Sequence, residues 1–215
     1  MNNDKIKIII ADDHAIVREG LKQIVAEEKD MQVCGEAEDA AGLMELLKNE
    51  KWSIIVLDIN MPGKSGLEAL KDIKQLYPEL PVLVLSMFSE DQYGLRAIKA
   101  GASGYLKKGS APTELVGAIR KIVSGRKYIN ASLAEKLAEN FGSNKNNYLH
   151  QKLSDREYQI MCSIALGKSA EGIAEELSLS INTIYTYRNR ILEKMSMKSN
   201  VELTQYAIQN KLIEL

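Results

Sequence analysis

The run Ile54-Ile55-Val56-Leu57 carries no polar residue at either of its alternating positions, and it ends in Asp58. Written as a strand, it has two apolar faces and needs cover on both. That is the habit of parallel sheets flanked by helices. The turn Ile59-Asn60-Met61-Pro62-Gly63 follows at once. Asp58 therefore stands at a strand's carboxyl end, where open α/β sheets place their chemistry. An aspartate there can also do no more than cap a turn, and the neighbouring segments have to separate the two readings.

Four further apolar runs predict strands at 5–11, 31–37, 81–86 and 103–106. Between and after them, apolar residues recur at helical spacing in 15–28, in a segment capped by Asp39, in 66–77 up to Pro78, in 91–100 and in 112–124. The last has Pro112 in its first turn and Gly125 beyond its end. Joined by right-handed crossovers, these elements predict a doubly wound, five-stranded parallel sheet of order 2-1-3-4-5. That order gathers Asp12, Asp13, Asp58, Ser86 and Lys108 on one rim. Clustered carboxylates repel one another and call for a cation, and an all-oxygen donor set favours Mg²⁺. A carboxylate can attack phosphorus to give an aspartyl-phosphate. Lys108 and the metal would neutralise the phosphoryl oxygens, and the Ser86 hydroxyl would bond one of them. Singly, Asp12 and Asp13 can be helix caps, Ser86 a turn residue and Lys108 a solvated charge; their coincidence at one rim favours a site. Met87 and Phe88, following Ser86, can shield that site from water, with Asn60 on its other side. His14 opens the first helix.

Composition narrows the setting. The chain has 215 residues and a formal net charge of −1, which argues against a polybasic or acidic coat. Residues 1–125 hold 16 Lys+Arg against 19 Asp+Glu, and the remainder 12 against 10, a slight basic bias toward a nucleic-acid partner. Cys34 and Cys162 are far apart and sit in apolar segments, so both are expected to be buried thiols in a reducing compartment. The polar start of the chain shows no signal-peptide pattern, and no apolar run approaches a membrane span. A cytoplasmic protein without membrane contact is expected.

Asn130 can cap a short helix carrying Leu133, Leu137 and Ala138, and the polar stretch 141–147 reads as linker. The expected division is 1–125, a helical linker 126–151, and 152–215. The last part has no strand signal. Ser154-Asp155-Arg156-Glu157 is a capping box opening a helix. A short helix follows from Ala170, then the turn Ser178-Leu179-Ser180, a helix over 181–195, and a fourth helix near 201–210. Helix, tight turn and helix is a DNA-binding arrangement when the second helix is basic and exposed. Its outward residues are Asn182, Thr183, Tyr185, Thr186, Arg188, Asn189, Arg190 and Lys194. Arg and Lys suit phosphates, and Asn and Thr suit base edges. An ordinary solvated face on a small bundle has the same periodicity.

These motifs carry a resemblance. The pair Asp12-Asp13, the segment Leu57-Asp58-Ile59-Asn60-Met61-Pro62-Gly63, Leu85-Ser86 and Gly104-Tyr105-Leu106-Lys107-Lys108 together resemble the flavodoxin-like receiver domain of two-component response regulators. Leu153-Ser154-Asp155-Arg156-Glu157, Ile173-Ala174-Glu175-Glu176-Leu177, Ser180-Ile181-Asn182-Thr183-Ile184 and Ile191-Leu192-Glu193-Lys194-Met195 resemble the four-helix LuxR-type helix-turn-helix of NarL/FixJ-type regulators. The resemblance implies Asp58 as phosphoacceptor from a sensor histidine kinase, within a phosphorelay. It implies Mg²⁺ held by Asp12, Asp13, Asp58 and the backbone carbonyl of Asn60. Ser86 and Tyr105 would form a switch pair, Lys108 would bind the phosphoryl group, and 181–195 would be the recognition helix of a homodimer on promoter DNA. The chain departs from the pattern at Gly109, where proline is common, at Tyr185, where Lys or Arg is common, and at Ser169-Ala170-Glu171-Gly172.

Two other classes compete. An aspartyl phosphohydrolase needs a proton donor for its leaving group, and Asn60, two residues past the nucleophile, cannot serve; a switch rather than an enzyme is expected. The helical domain could also bind a protein partner instead of DNA.

Overall fold

A computed structural model describes residues 5–88, 90–110, 112–142 and 148–213. The chain divides into two compact units, one ending at Ala134 and one beginning at Glu135. In the first, strands β1 (Ile6–Ala11), β2 (Met31–Ala37), β3 (Ile54–Asp58), β4 (Val82–Ser86) and β5 (Gly104–Lys107) alternate with helices α1 (Ala15–Ala26), α2 (Ala40–Leu46), α3 (Gly66–Leu76), α4 (Glu90–Lys99) and α5 (Pro112–Val123). All pairings are parallel and the order is β2-β1-β3-β4-β5, as the alternation requires. Every residue of β3 and β4 is buried. Ile8, Ile54, Val56 and Leu83 pack with Leu21 of α1 and Ile119 of α5. The alternate residues Ile9, Ile55, Leu57 and Val84 point the other way and are equally buried. Each such side chain contributes about 1.5–3 kcal/mol to the core.

Helices α2 and α3 start where short polar side chains catch free amides. Asp39 accepts from Gly42 N at 2.7 Å. Ser65 and Glu68 form a capping box at α3. One expectation fails here: Cys34 is exposed, and only Cys162 is buried. The register of β1 with β2 slips between Ile8↔Val33 and Ile9↔Gly35, which leaves Cys34 as the extra, unpaired residue of a bulge on an edge strand.

The chain leaving α5 turns back onto β5. Tyr128 makes a parallel bridge to Gly104, its carbonyl accepts from Tyr105 N at 3.3 Å, and its amide donates to Ser103 O at 2.9 Å. The open edge of the sheet is thereby covered. Asn130 then caps helix α6 (Ala131–Gly142), and Leu133 buries itself against Gly94, where an added Cβ would come within 2.9 Å of it. The polar residues 143–147 lie outside the described residues.

The second unit, which opens within α6, goes on with a 3-10 turn, Leu149–Lys152, and then α7 (Asp155–Ala165), α8 (Ala170–Glu176), α9 (Ile181–Met195) and α10 (Asn200–Gln209). Ser154, Ser169, Ser180 and Ser199 each accept a backbone amide at a helix start. Helix α7 is buried along its whole length. Ile173, Ile184, Ile191 and Leu203 complete the core around it. Ser196, at φ 54°, closes α9 with a left-handed cap. Among the described residues, no helix is long and apolar enough to cross a membrane.

Candidate functional site

At the carboxyl edge of the sheet, β1 runs into Asp12 and Asp13, β3 ends in Asp58, β4 ends in Ser86 and β5 leads to Lys108. The Lys108 ammonium lies 2.6 Å from Asp12 Oδ2 and 2.8 Å from Asp58 Oδ2. Lys107, one residue earlier, is exposed, so strand alternation selects Lys108. The Lys108 amide donates to Ser86 O at 2.6 Å, which ties the end of β5 to β4. Gly109 follows at φ 93°, a conformation that glycine takes without cost. On the other side, the α3 start presses so closely on β3 that a Cβ on Gly66 would lie 1.9 Å from the Asp58 carbonyl oxygen.

Asp12 and Asp58 are buried; Lys108 holds Asp12 Oδ2 and His14 Nδ1 lies beside Asp13 Oδ1, whereas Asp58 Oδ1 is buried without a hydrogen-bond partner. Burial pushes the Asp58 carboxyl above its ordinary range; Lys108 pulls it back, and the Asp12 charge pushes it up again. For Lys108, burial opposes the charge, but Asp58 and Asp12 outweigh it and hold the ammonium above its usual range. One ligand atom from each of Asp12, Asp13, His14 and Asp58 falls within 4.8 Å of the others. Three converging carboxylates, with a partnerless Asp58 oxygen among them, are an all-oxygen donor set that fits Mg²⁺. Asn60 stands two residues past Asp58, half-buried.

His14 was expected only to open α1. It holds the N-cap position without capping through its side chain, and its Nδ1 lies 2.7 Å from Asp13 Oδ1. No pattern in the sequence gives that ring its direction. Tyr105 is fully buried, its hydroxyl donating to Phe88 O at 2.9 Å, while Phe88 N donates to Ser86 Oγ at 3.2 Å. Burial holds the Tyr105 phenol well above its ordinary range. The Phe88 ring stacks on Tyr93 at 4.7 Å, so it is engaged with α4; Met87 is the exposed apolar residue of this loop.

On α9, Asn182, Tyr185, Thr186, Asn189 and Arg190 are exposed, and Thr183 and Arg188 are half-buried. Several already have partners within the unit. Thr183 closes the N-cap with Ser180, and Thr186 Oγ1 donates to Asn182 O. Arg188 Nε donates to Asn200 Oδ1 at 2.7 Å. Lys194 Nζ lies 2.8 and 2.7 Å from the two carboxylate oxygens of Glu157, the capping residue of α7. Glu157 faces that lysine because the capping box turns it back toward Ser154 N, 2.7 Å away.

Comparison with known proteins agrees with both units. Residues 8–120 match the family described as response regulator receiver domain, and residues 151–207 match that of bacterial regulatory proteins, luxR family. The response regulator GacA of Pseudomonas aeruginosa is 35% identical over 210 residues, covering 97% of this chain and 98% of that one. The response regulator UvrY of Escherichia coli (strain K12) is 35% identical over 208 residues, covering 96% and 95%. Among solved structures, RcsB from Salmonella enterica serovar Typhimurium, bound to promoter rprA in the presence of phosphomimetic BeF3⁻, has a TM-score of 0.65 at 26% identity and covers 94% of this chain and 98% of that one. The chain belongs to the response regulators of the NarL/FixJ type, which join a receiver domain to a LuxR-type DNA-binding domain.

Proposed function

We propose that Asp58 is the phosphoacceptor of this regulator and that its phosphorylation by a sensor histidine kinase switches promoter binding through α9. The observation that carries this is the Lys108 ammonium set between Asp58 and Asp12 at the end of the sheet, with the second Asp58 oxygen, Oδ1, buried beside it without a hydrogen-bond partner. An Asp58 oxygen forms the new P–O bond as the donor's P–N bond breaks and its imidazole leaves. Asp12, Asp13, Asp58 and the Asn60 carbonyl would hold Mg²⁺, which when bound neutralises charge on the transferring group. Lys108 meets another phosphoryl oxygen and Ser86 a third. Tyr105, tied to Ser86 through Phe88, carries the change toward α4 and β5. Asn60 offers no proton to a leaving group, so the protein holds its phosphoryl group as a switch rather than turning it over as an enzyme.

The receiver spans 1–125, the linker 126–151 and the DNA-binding domain 152–215. In the latter, Tyr185, Asn189 and Arg190 have their heads in solvent for DNA, with Asn182 and Thr183 at the start of the helix and Thr186 beside them. Arg188 and Lys194 reach phosphates only by exchanging the partners they have. RcsB on promoter DNA with a phosphomimetic supports this reading; two copies of this chain would pair through the outer face of α10. A regulator that reads promoters works in the cytoplasm. With a small phosphodonor and Mg²⁺, the wild type is expected to gain one phosphoryl group, read by intact mass, and Asp58→Asn none; full labelling of Asp58→Asn would remove Asp58 from this role.

A further inference from the structure

Arg18 is buried in α1, and nothing in the phosphoryl-transfer reading uses it. Its side chain is 9% exposed, and all three of its guanidinium nitrogens are engaged. Nη1 donates to the main-chain carbonyl of Asp12 at 2.8 Å, Nη2 to Glu38 Oε1 at 2.7 Å, and Nε to Glu36 Oε2 at 3.3 Å. Lys22 Nζ binds the other oxygen of Glu36 at 2.8 Å. The carbonyl that Arg18 holds belongs to the peptide joining Asp12 to Asp13. The amide of Asp12 donates to Ala37 O at 3.1 Å. The backbone at the acidic pair is thus gripped on one side by β2 and on the other by a fork whose plane two carboxylates fix.

We propose that Arg18 is a positioning residue for the cation site: it pins the Asp12–Asp13 peptide so that both carboxylates stay turned toward Asp58. The inference rests on the reading that these three carboxylates hold Mg²⁺. Arg18 and Lys22 face Glu36, Glu38 and Glu19, so these pairs bring no excess positive charge toward the site, and Arg18 acts by geometry. Three donors in one rigid plane are something guanidinium has and ammonium lacks. Arg18→Lys therefore keeps the charge and loses the grip.

The test is calorimetric titration of Mg²⁺ alone into the full chain, with melting curves to confirm folding. Arg18→Lys is expected to weaken Mg²⁺ binding roughly tenfold, in the range seen when groups that orient metal ligands are removed. Labelling by a small phosphodonor should fall at low Mg²⁺ and recover at saturating Mg²⁺. Glu36→Gln combined with Glu38→Gln, which leaves Arg18 in place but frees its plane, should weaken binding by a smaller factor. Folded Arg18→Lys with wild-type Mg²⁺ affinity would overturn the proposal. If Arg18→Lys does not fold, the double glutamine variant decides in the same way. Asp13→Asn separates the two levels. If the wild type takes up no Mg²⁺, or Asp13→Asn binds as the wild type does, the cation site itself is wrong. If Asp13→Asn loses binding while the Arg18 and glutamate variants keep it, only the role of Arg18 falls.

Discussion

Single residues at this site are constrained more by neighbours' backbones than by their own propensities. Gly66 is the sharpest case. Its amide donates to Ile59 O at 2.9 Å, and a Cβ would sit 1.9 Å from the Asp58 carbonyl oxygen. Neither atom belongs to a flexible side chain, so Gly66→Ala must push α3 away from β3. The expected loss is about 3 kcal/mol or more, as for severe overpacking, and urea unfolding measures it; a loss under 1 kcal/mol would mean that α3 shifts freely. The sequence showed Ser65 and Glu68 as a helix start but not this contact. The meeting of Asp12, Asp13, Asp58, Ser86 and Lys108, as distinct from their chemical roles, was legible because each ends a strand and strand order alone brings such ends together. The Arg18 grip and the His14 ring were not, because a helical side chain's reach depends on what the next strand presents. Cys34 departs from expectation for a related reason: apolar neighbours mark a strand, but a bulge shows only in the pairing. Cys34 is therefore expected to react with a thiol reagent in the folded protein within minutes, and Cys162 only on unfolding, as read by peptide mass mapping.

At the scale of elements, helix α9 depends on a cap that belongs to another helix. Glu157 closes α7, and its carboxylate, 5% exposed, also receives Lys194 from the last turn of α9. Burial works against the charge on Glu157, but Lys194 and the Ser154 amide outweigh it and hold the carboxyl below its ordinary range. A carboxylate whose folded pKa is depressed contributes stability that is fully present above its unfolded pKa and lost as pH falls through the folded one. Glu157→Gln should therefore cost about 1–2 kcal/mol near neutral pH, by the scale of hydrogen bonds to charged groups. The gap from wild type should close in acid, once Glu157 is protonated in both states. Thermal melts across pH 3–7 give the comparison; a gap that stays constant to pH 3 would place the stabilisation elsewhere. The helix bounds and the capping box were written in the sequence, since both are local. The bond from Lys194 to that cap joins residues 37 positions apart, and periodicity placed Lys194 only on the outer face. The bridge of Tyr128 to β5 is equally invisible in the sequence, because a single paired residue has no pattern.

For the whole molecule, the question is how a chain with a net charge of −1 holds DNA. Nonspecific affinity scales with the number of phosphates neutralised, and two of the cations on α9, Arg188 and Lys194, already have partners inside the unit. One DNA-binding unit should therefore bind weakly, and two held together should bind far better because the second contact is intramolecular. The surface proposed for pairing is on α10. Val201 is 75% and Ile208 44% exposed, on one side of the helix with Thr204 between them, whereas Leu203 and Ala207 fill the core. Replacing both exposed residues, Val201→Glu with Ile208→Glu, leaves that core untouched and puts like charges across any α10–α10 contact. The folded variant is expected to lose at least tenfold in affinity for DNA carrying two half-sites and to match the wild type on a single half-site, measured by fluorescence anisotropy at fixed salt. Equal loss on both DNAs would mean that α10 itself touches DNA, and no loss on either would mean that copies pair through another face.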